Sequence, residues 1–202
     1  MKKQYTEKEI CVFGGVMALS KEGKKIYNIT VQDIAKAANV GKGTLYGYFP
    51  SKEDILVNAI VYFLSLENKK AEEIAQSGMS FKDTVYALYS LIINSFEDGF
   101  AAVSQFASGE NMLDIPKIIE DNKEYIEQVM TSRDKIIIQM LKIGEKEGAI
   151  RLDFSAEYIT MAIMANLSCL NSCLHLPKSA EYICQIEQKK DIAYTLLLKT
   201  LN

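Results

Sequence analysis

The chain has 202 residues, 49% of them hydrophobic, with one His, no Trp, three Pro and a formal net charge of −3, which is enough apolar material for one generous core or two modest ones. No run reaches the roughly 18 uncharged apolar residues that would span a bilayer, and the charged start MKKQYTEKEI is unlike a signal peptide, so a cytoplasmic protein is expected. The charge is uneven: residues 1–52 hold nine Lys and four Asp/Glu, a net +5, and the remainder 14 Lys/Arg and 22 Asp/Glu, a net −8, so one end suits a polyanion and the other repels it.

After residue 5 apolar residues recur at three- and four-residue spacing, with no sustained period-two alternation, and the fold is expected to be all-α. The first helix starts near Thr6, an N-cap with Glu9 three residues on, turns Ile10, Phe13, Val16, Met17 and Ala18 toward a core, and ends at Gly23. Thr30 caps the second, with Asp33 in its first turn and Ile34, Ala35 and Ala38 on its apolar side, and Asn39 stops it. A short third helix covers Lys42–Tyr48, and Ser51 with Asp54 caps a fourth that reaches Gln76 ahead of Gly78. Further helices fall at about 80–97, 99–109, 115–147, 154–173 and 178–200, about nine helices in total, with Pro116, Gly148 and Pro177 as punctuation.

The second and third helices meet the local demands of a helix-turn-helix. Ala35 is small enough for a steep crossing, Asn39 tolerates a left-handed backbone in the turn, and Ile34, Val40 and Leu45 form an apolar seam. The opposite face of the Lys42–Tyr48 helix then bears Lys42, Thr44 and Tyr46 beside Gly43 and Gly47. Ammonium, hydroxyl and backbone N–H groups suit phosphates, and the glycines let the helix come close to base edges.

The stretch TVQDIAKAANVGKGTLYGYFPSKEDIL, residues 30–56, resembles the DNA-binding signature of the tetracycline-repressor (TetR) family, matching it at Thr30, Ile34, Ala35, Val40, Gly43, Thr44, Tyr46, Tyr48, Phe49, Ser51 and Lys52. The resemblance implies an N-terminal three-helix DNA-binding domain over 1–52 and a larger helical effector-binding and dimerisation domain over 53–202. It implies that Thr30 and Lys52 hold phosphates from helix caps, that Gly41, Lys42, Gly43, Thr44, Tyr46, Gly47 and Tyr48 lie at the DNA, and that Phe49 is buried beneath the turn. Gly41 stands where the family often has Ser and Gly47 where it often has a larger polar residue, so two hydrogen-bonding side chains are missing.

Residues 80–200 carry no comparable motif. By the same resemblance helices 154–173 and 178–200 pair with their symmetry mates in a homodimer, and an apolar or aromatic effector lies among Tyr86, Phe96, Phe100, Phe106, Tyr125 and Asn166. Asn166 interrupts the apolar run MAIMANLSCL and needs a partner if buried. Cys169, Cys173 and His175 do not have the spacing of a standard zinc site, and with Cys11 and Cys184 the cysteines read as reduced thiols; no metal or cofactor is expected. One His, no paired nucleophile and base and no Gly-rich phosphate loop argue against an enzyme. The expected function is a dimeric repressor that binds a palindromic double-stranded operator and is released by a small effector; an activator or a ligand-independent regulator is the alternative.

Overall fold

The computed structural model describes residues 4–24, 28–95, 120, 122–171 and 182–202, with 171 and 182–184 described by backbone alone. Among the described residues there are eight helices and no strand: α1 (Glu7–Lys21), α2 (Val31–Ala37), α3 (Lys42–Tyr48), α4 (Lys52–Ala75), α5 (Phe81–Ser95), α6 (Lys123–Lys146), α7 (Ala156–Asn171) and α8 (Tyr182–Thr200). The all-α expectation holds, and the helix expected at 99–109 lies outside the described residues. The chain divides into two compact packing units, residues 1–69 with 94–133 and residues 70–93 with 134–202, so α4 and α6 each contribute to both.

In the first unit the helix starts are set by short-range polar contacts. The Glu9 N–H donates to Thr6 Oγ1 at 3.3 Å while the Thr6 N–H donates to Glu9 Oε2 at 2.8 Å, a reciprocal pair that satisfies two otherwise orphaned donors of α1. Thr30 and Asp33 repeat this at α2 (3.1 and 2.8 Å), and the Asp54 N–H donates to Ser51 Oγ at 3.0 Å at the start of α4. Asn39 takes φ +53°, the left-handed turn conformation expected of it. The core gathers Val12, Phe13, Val16, Ile29, Ile34, Leu45, Phe49, Ile55 and Leu56.

One sequence expectation is corrected in α1. Ile10 is 37% exposed and Ala18 is also exposed, whereas Val12, Phe13, Gly15, Val16 and Ser20 are buried. The cause is a second buried side, where Gly15 passes so close to α2 that a Cβ there would lie 2.9 Å from the Ala38 backbone nitrogen. Packing against two neighbours turns the helix away from the single apolar stripe its spacing suggests.

The second unit is built on Phe81, Val85, Tyr89, Met140, Leu141, Ile150, Ile163, Leu170, Ile186, Ala193, Leu197 and Leu201. The first N–H of α5, from Phe81, donates to both carboxylate oxygens of Glu147 at 3.0 Å, which places a negative charge at the positive end of that helix. The chain end is tied to the turn after α6: the Arg151 N–H donates to the Leu201 carbonyl at 2.7 Å, and Asn202 Nδ2 to the Ala149 carbonyl at 2.9 Å.

Candidate nucleic-acid interface

α3 has only seven residues and one buried side chain, Leu45, at 0% exposure. With Ile34 and Ala35 of α2 also buried and Val40 packed against them, the apolar seam is as the sequence predicts. Everything else on α3 faces outward: Gly41, Lys42, Gly43, Thr44, Gly47, Tyr46 (53% exposed) and Tyr48 (39%). A Cβ added at Gly43 or Gly47 would meet nothing within 4 Å. The face is therefore flat along its glycines, with two phenols, one hydroxyl and one ammonium beside them, and those hydrogen-bonding groups are free to reach an external ligand.

The start of α3 lacks the side-chain cap that α1, α2 and α4 possess. Gly41 is its N-cap, with extended backbone and no side-chain hydrogen bond. Together with Gly47 in the interior, which costs about 1 kcal/mol relative to Ala, this makes α3 a weak helix held in place mainly by Leu45 and by Phe49 just after it. Phe49 is 3% exposed, with its ring centroid 5.7 Å from that of Phe13, so it is structural as expected.

The two flanking cap residues are partly committed. Thr30 Oγ1 donates to Asp33 Oδ2 at 2.6 Å and accepts the Asp33 N–H, and the Asp33 carboxylate also meets Lys24 Nζ at 2.7 Å. Lys24 first, and Thr30 next, hold the Asp33 carboxyl well below the usual carboxylate range. A phosphate at Thr30 would compete with this carboxylate for the hydroxyl proton. Lys52 opens α4 with its ammonium 3.7 Å from Glu53 Oε1.

Of the six residues expected around an effector, three are described: Tyr86 and Asn166 in the second packing unit and Tyr125 in the first. Phe96, Phe100 and Phe106 lie outside the described residues. Tyr125 belongs to the first unit, its ring centroid 6.1 Å from that of Tyr5. In the second unit, Asn166 is 6% exposed and finds the partners its burial demands: Tyr89 OH donates to its Oδ1 at 2.5 Å and its Nδ2 donates to the Ala193 carbonyl at 2.6 Å. Burial pushes the Tyr89 phenol well above the ordinary tyrosine range, so it stays protonated as that donor. The Tyr86 hydroxyl donates to Asp191, and burial, then that carboxylate, push its phenol up to about 12.

The sequence reading missed three polar residues. Lys190, 7% exposed, donates to Ser90 Oγ at 2.9 Å and Glu187 Oε1 at 2.7 Å. Tyr5 and the buried Asn58 are joined at 2.9 Å. A Lys or Asn on an otherwise apolar helix face is a signal of this kind, as it was for Asn166, but the partner's identity is not local. Cys11 and Cys169 are in no disulfide, while the side chains of Cys173, His175 and Cys184 lie outside the described residues. Among the described residues no group of three His, Cys, Asp or Glu could hold a metal ion, and no helix is long and apolar enough to cross a membrane.

Comparison with known proteins bears on this surface directly. The family model of bacterial regulatory proteins of the tetR family matches residues 24–59, which contain α2, α3 and the start of α4. The transcriptional repressor KstR2 of Rhodococcus jostii is 28% identical over 128 residues, 63% of this chain and 61% of its own length. The chain spans between 60% and 63% of the length of the curated relatives it matches. Among solved structures, the fatty acid degradation regulator FadR of Bacillus halodurans superimposes with a TM-score of 0.70 at 17% identity, covering 97% of each chain. FadR of Bacillus subtilis, solved in complex with stearoyl-CoA, gives 0.63 at 16% identity over 96% of this chain and 97% of its own. Those structural likenesses speak for the fold. The family model thus lies on the helix pair that presents the outward face of α3: residues 24–59 match the DNA-binding region of bacterial regulatory proteins of the tetR family, and the chain has the fold of those regulators.

Proposed function

We propose that the protein is a homodimeric repressor that binds a palindromic operator through α3 and leaves it when a small apolar effector binds residues 53–202. The observation that carries the DNA reading is the division of α3 into one buried residue, Leu45, and an outward face of Lys42, Gly43, Thr44, Tyr46, Gly47 and Tyr48. Lys42, Thr44, Tyr46, Tyr48, Thr30 and Lys52 offer phosphate contacts, and the open glycines let the backbone approach base edges. Because Gly41 and Gly47 bring no side chain to the bases, DNA shape and phosphate contacts carry a large share of the affinity.

The dimer reading is supported by α7 and α8. Each buries one side, through Ala162, Ile163, Asn166 and Leu170 and through Ile186, Ala193 and Leu197. Each also leaves large apolar groups uncovered: Tyr158 (42%), Met161 (72%) and Met164 (53%) on α7, Ile192 (55%) and Leu196 (43%) on α8. Two such helices pairing with their symmetry mates form a four-helix bundle. For the effector, the stearoyl-CoA in complex with a structural neighbour makes compounds with a long apolar acyl chain the first to try.

Selection from a random duplex pool tests the DNA reading. The expected product is an inverted repeat whose half-sites lie about one helical turn apart, bound with an affinity that falls steeply with salt. Enrichment of no sequence at low salt refutes it.

A further inference from the structure

Asn166 stands on the buried side of α7 with Ala162, Ile163 and Leu170. Both ends of its amide are used. Nδ2 donates to the Ala193 carbonyl of α8 at 2.6 Å, and Oδ1 accepts from the Tyr89 hydroxyl of α5 at 2.5 Å. A main-chain carbonyl can only accept, so the nitrogen faces Ala193, the oxygen faces the phenol, and the phenol is the donor. Tyr89, Asn166 and Ala193 are all buried, and all lie in the second packing unit. One side chain of α7 thereby bonds directly to both α5 and α8.

Stability alone would be served as well by an apolar side chain, since each hydrogen bond nets only about 1 kcal/mol. What apolar contact does not supply is position. It is non-directional, so two apolar helices slide past one another at little cost, whereas a hydrogen bond fails once its donor moves by about an ångström. A single buried Asn fixes the register of packed helices in this way, at some cost in stability. Here the register has an outward consequence. Ile192 adjoins Ala193 and Leu196 lies three residues on, while Met161 and Met164 adjoin the buried Ala162 and Ile163 of α7, and all four large side chains are exposed. They compose one particular surface for one placement of α7 along α8, and a slip of a single turn, about 5.4 Å, rearranges it.

We propose that Asn166 is a positioning residue for self-association: its bonds to Ala193 and Tyr89 hold α7 and α8 in the one register at which Met161, Met164, Ile192 and Leu196 match the same face of a second copy. The proposal rests on the dimer reading of α7 and α8. It makes a group buried within the protomer decide how tightly two copies pair.

The test measures dimerisation by sedimentation equilibrium, and the urea midpoint at a dilution where the protein is monomeric, for full-length wild type, Tyr89→Phe and Tyr89→Phe/Asn166→Leu. Tyr89→Phe strips the amide oxygen of its donor but keeps the bond between α7 and α8, so it is expected to lower the midpoint and leave the dimer dissociation constant at its wild-type value. The double variant makes both groups apolar while the Ala193 carbonyl keeps its helical bond, so it is expected to hold or raise the midpoint. It is nevertheless expected to weaken dimerisation about tenfold, the loss when about a third of each protomer's population keeps the matching register and both partners must have it. A merely structural role predicts instead that dimerisation follows stability. Should the double variant fail to fold, Tyr89→Phe/Asn166→Ala, which removes the same bonds without added bulk, carries the same dimerisation comparison. A double variant that dimerises like wild type, or losses of midpoint and dimerisation that run in parallel across the variants, overturns the proposal while leaving the dimer reading standing. Wild type that stays monomeric, or Met161→Ala that dimerises unchanged, refutes the dimer reading and takes the proposal with it.

Discussion

Two adjacent glycines in α1 are expected to respond to the same substitution with opposite signs. Alanine in place of a helix-interior glycine gains about 1 kcal/mol from backbone entropy. At Gly14 nothing lies within 4 Å of the added Cβ, so Gly14→Ala should keep that gain. At Gly15 the Cβ would stand 2.9 Å from the Ala38 nitrogen, 3.2 Å from the Ala38 Cβ and 3.3 Å from the Ala37 carbonyl carbon. Two of these are backbone atoms, which cannot rotate away, so α1 and α2 must separate at an overpacking cost of about 1–3 kcal/mol. The entropic gain is common to both variants and cancels between them, leaving that overpacking cost as the whole difference. For a protein of this size, about 1 kcal/mol moves the melting temperature by roughly 2–4 °C, so Gly15→Ala should melt several degrees below Gly14→Ala. Thermal denaturation followed by circular dichroism measures this. Equal melting temperatures, or the Gly15 variant melting higher, would refute the close approach of α1 to α2 that sets the reader in place.

Other expectations follow from single features. Fully burying a Met stabilises by about 1.5–3 kcal/mol, and Met161 is 72% exposed. Its two copies in a twofold dimer should therefore contribute about 2–4 kcal/mol, and Met161→Ala should weaken dimerisation in sedimentation equilibrium by about 30-fold or more. Ile138→Ala, at a 51% exposed site on α6, should leave it unchanged, and equal effects at both sites would remove α7 from the interface. Thr84 is 1% exposed and its hydroxyl has no hydrogen-bond partner among the described residues, so Thr84→Val should raise the urea midpoint by about 1 kcal/mol equivalent; a lower midpoint would reveal an unrecognised partner. The depressed Asp33 carboxyl favours the folded state at pH values above its ordinary 3.8, and that contribution is lost as pH falls below it. Asp33→Asn should accordingly shrink the drop in melting temperature between pH 7 and pH 3, and a drop as large as the wild type's would count against the Lys24–Asp33–Thr30 cluster.

Where local spacing stops short, long-range packing decides. Tyr125, offered to an effector on its aromatic character, packs beside Tyr5 in the first packing unit. Aromatic residues at helical spacing serve a core and a ligand cavity equally well, and only the neighbours distinguish the two. Ile10 and Ala18 were placed inside because periodicity assumes one buried stripe, whereas α1 is covered on two sides.

What the amino-acid order determined by itself is everything satisfied within a few residues: the caps at Thr6, Thr30 and Ser51, the left-handed Asn39, and the inward Leu45 that leaves the rest of α3 facing out. Those contacts form between residues three or four apart, so spacing and residue type suffice to predict them. The tertiary structure alone decided that Gly15 lies on Ala38, that Glu147 caps α5 across 66 residues, and that Tyr5 reaches Asn58 across 53. Such pairings depend on which helices come to lie side by side. That choice is made by the burial of whole faces, and no local run of residues encodes it.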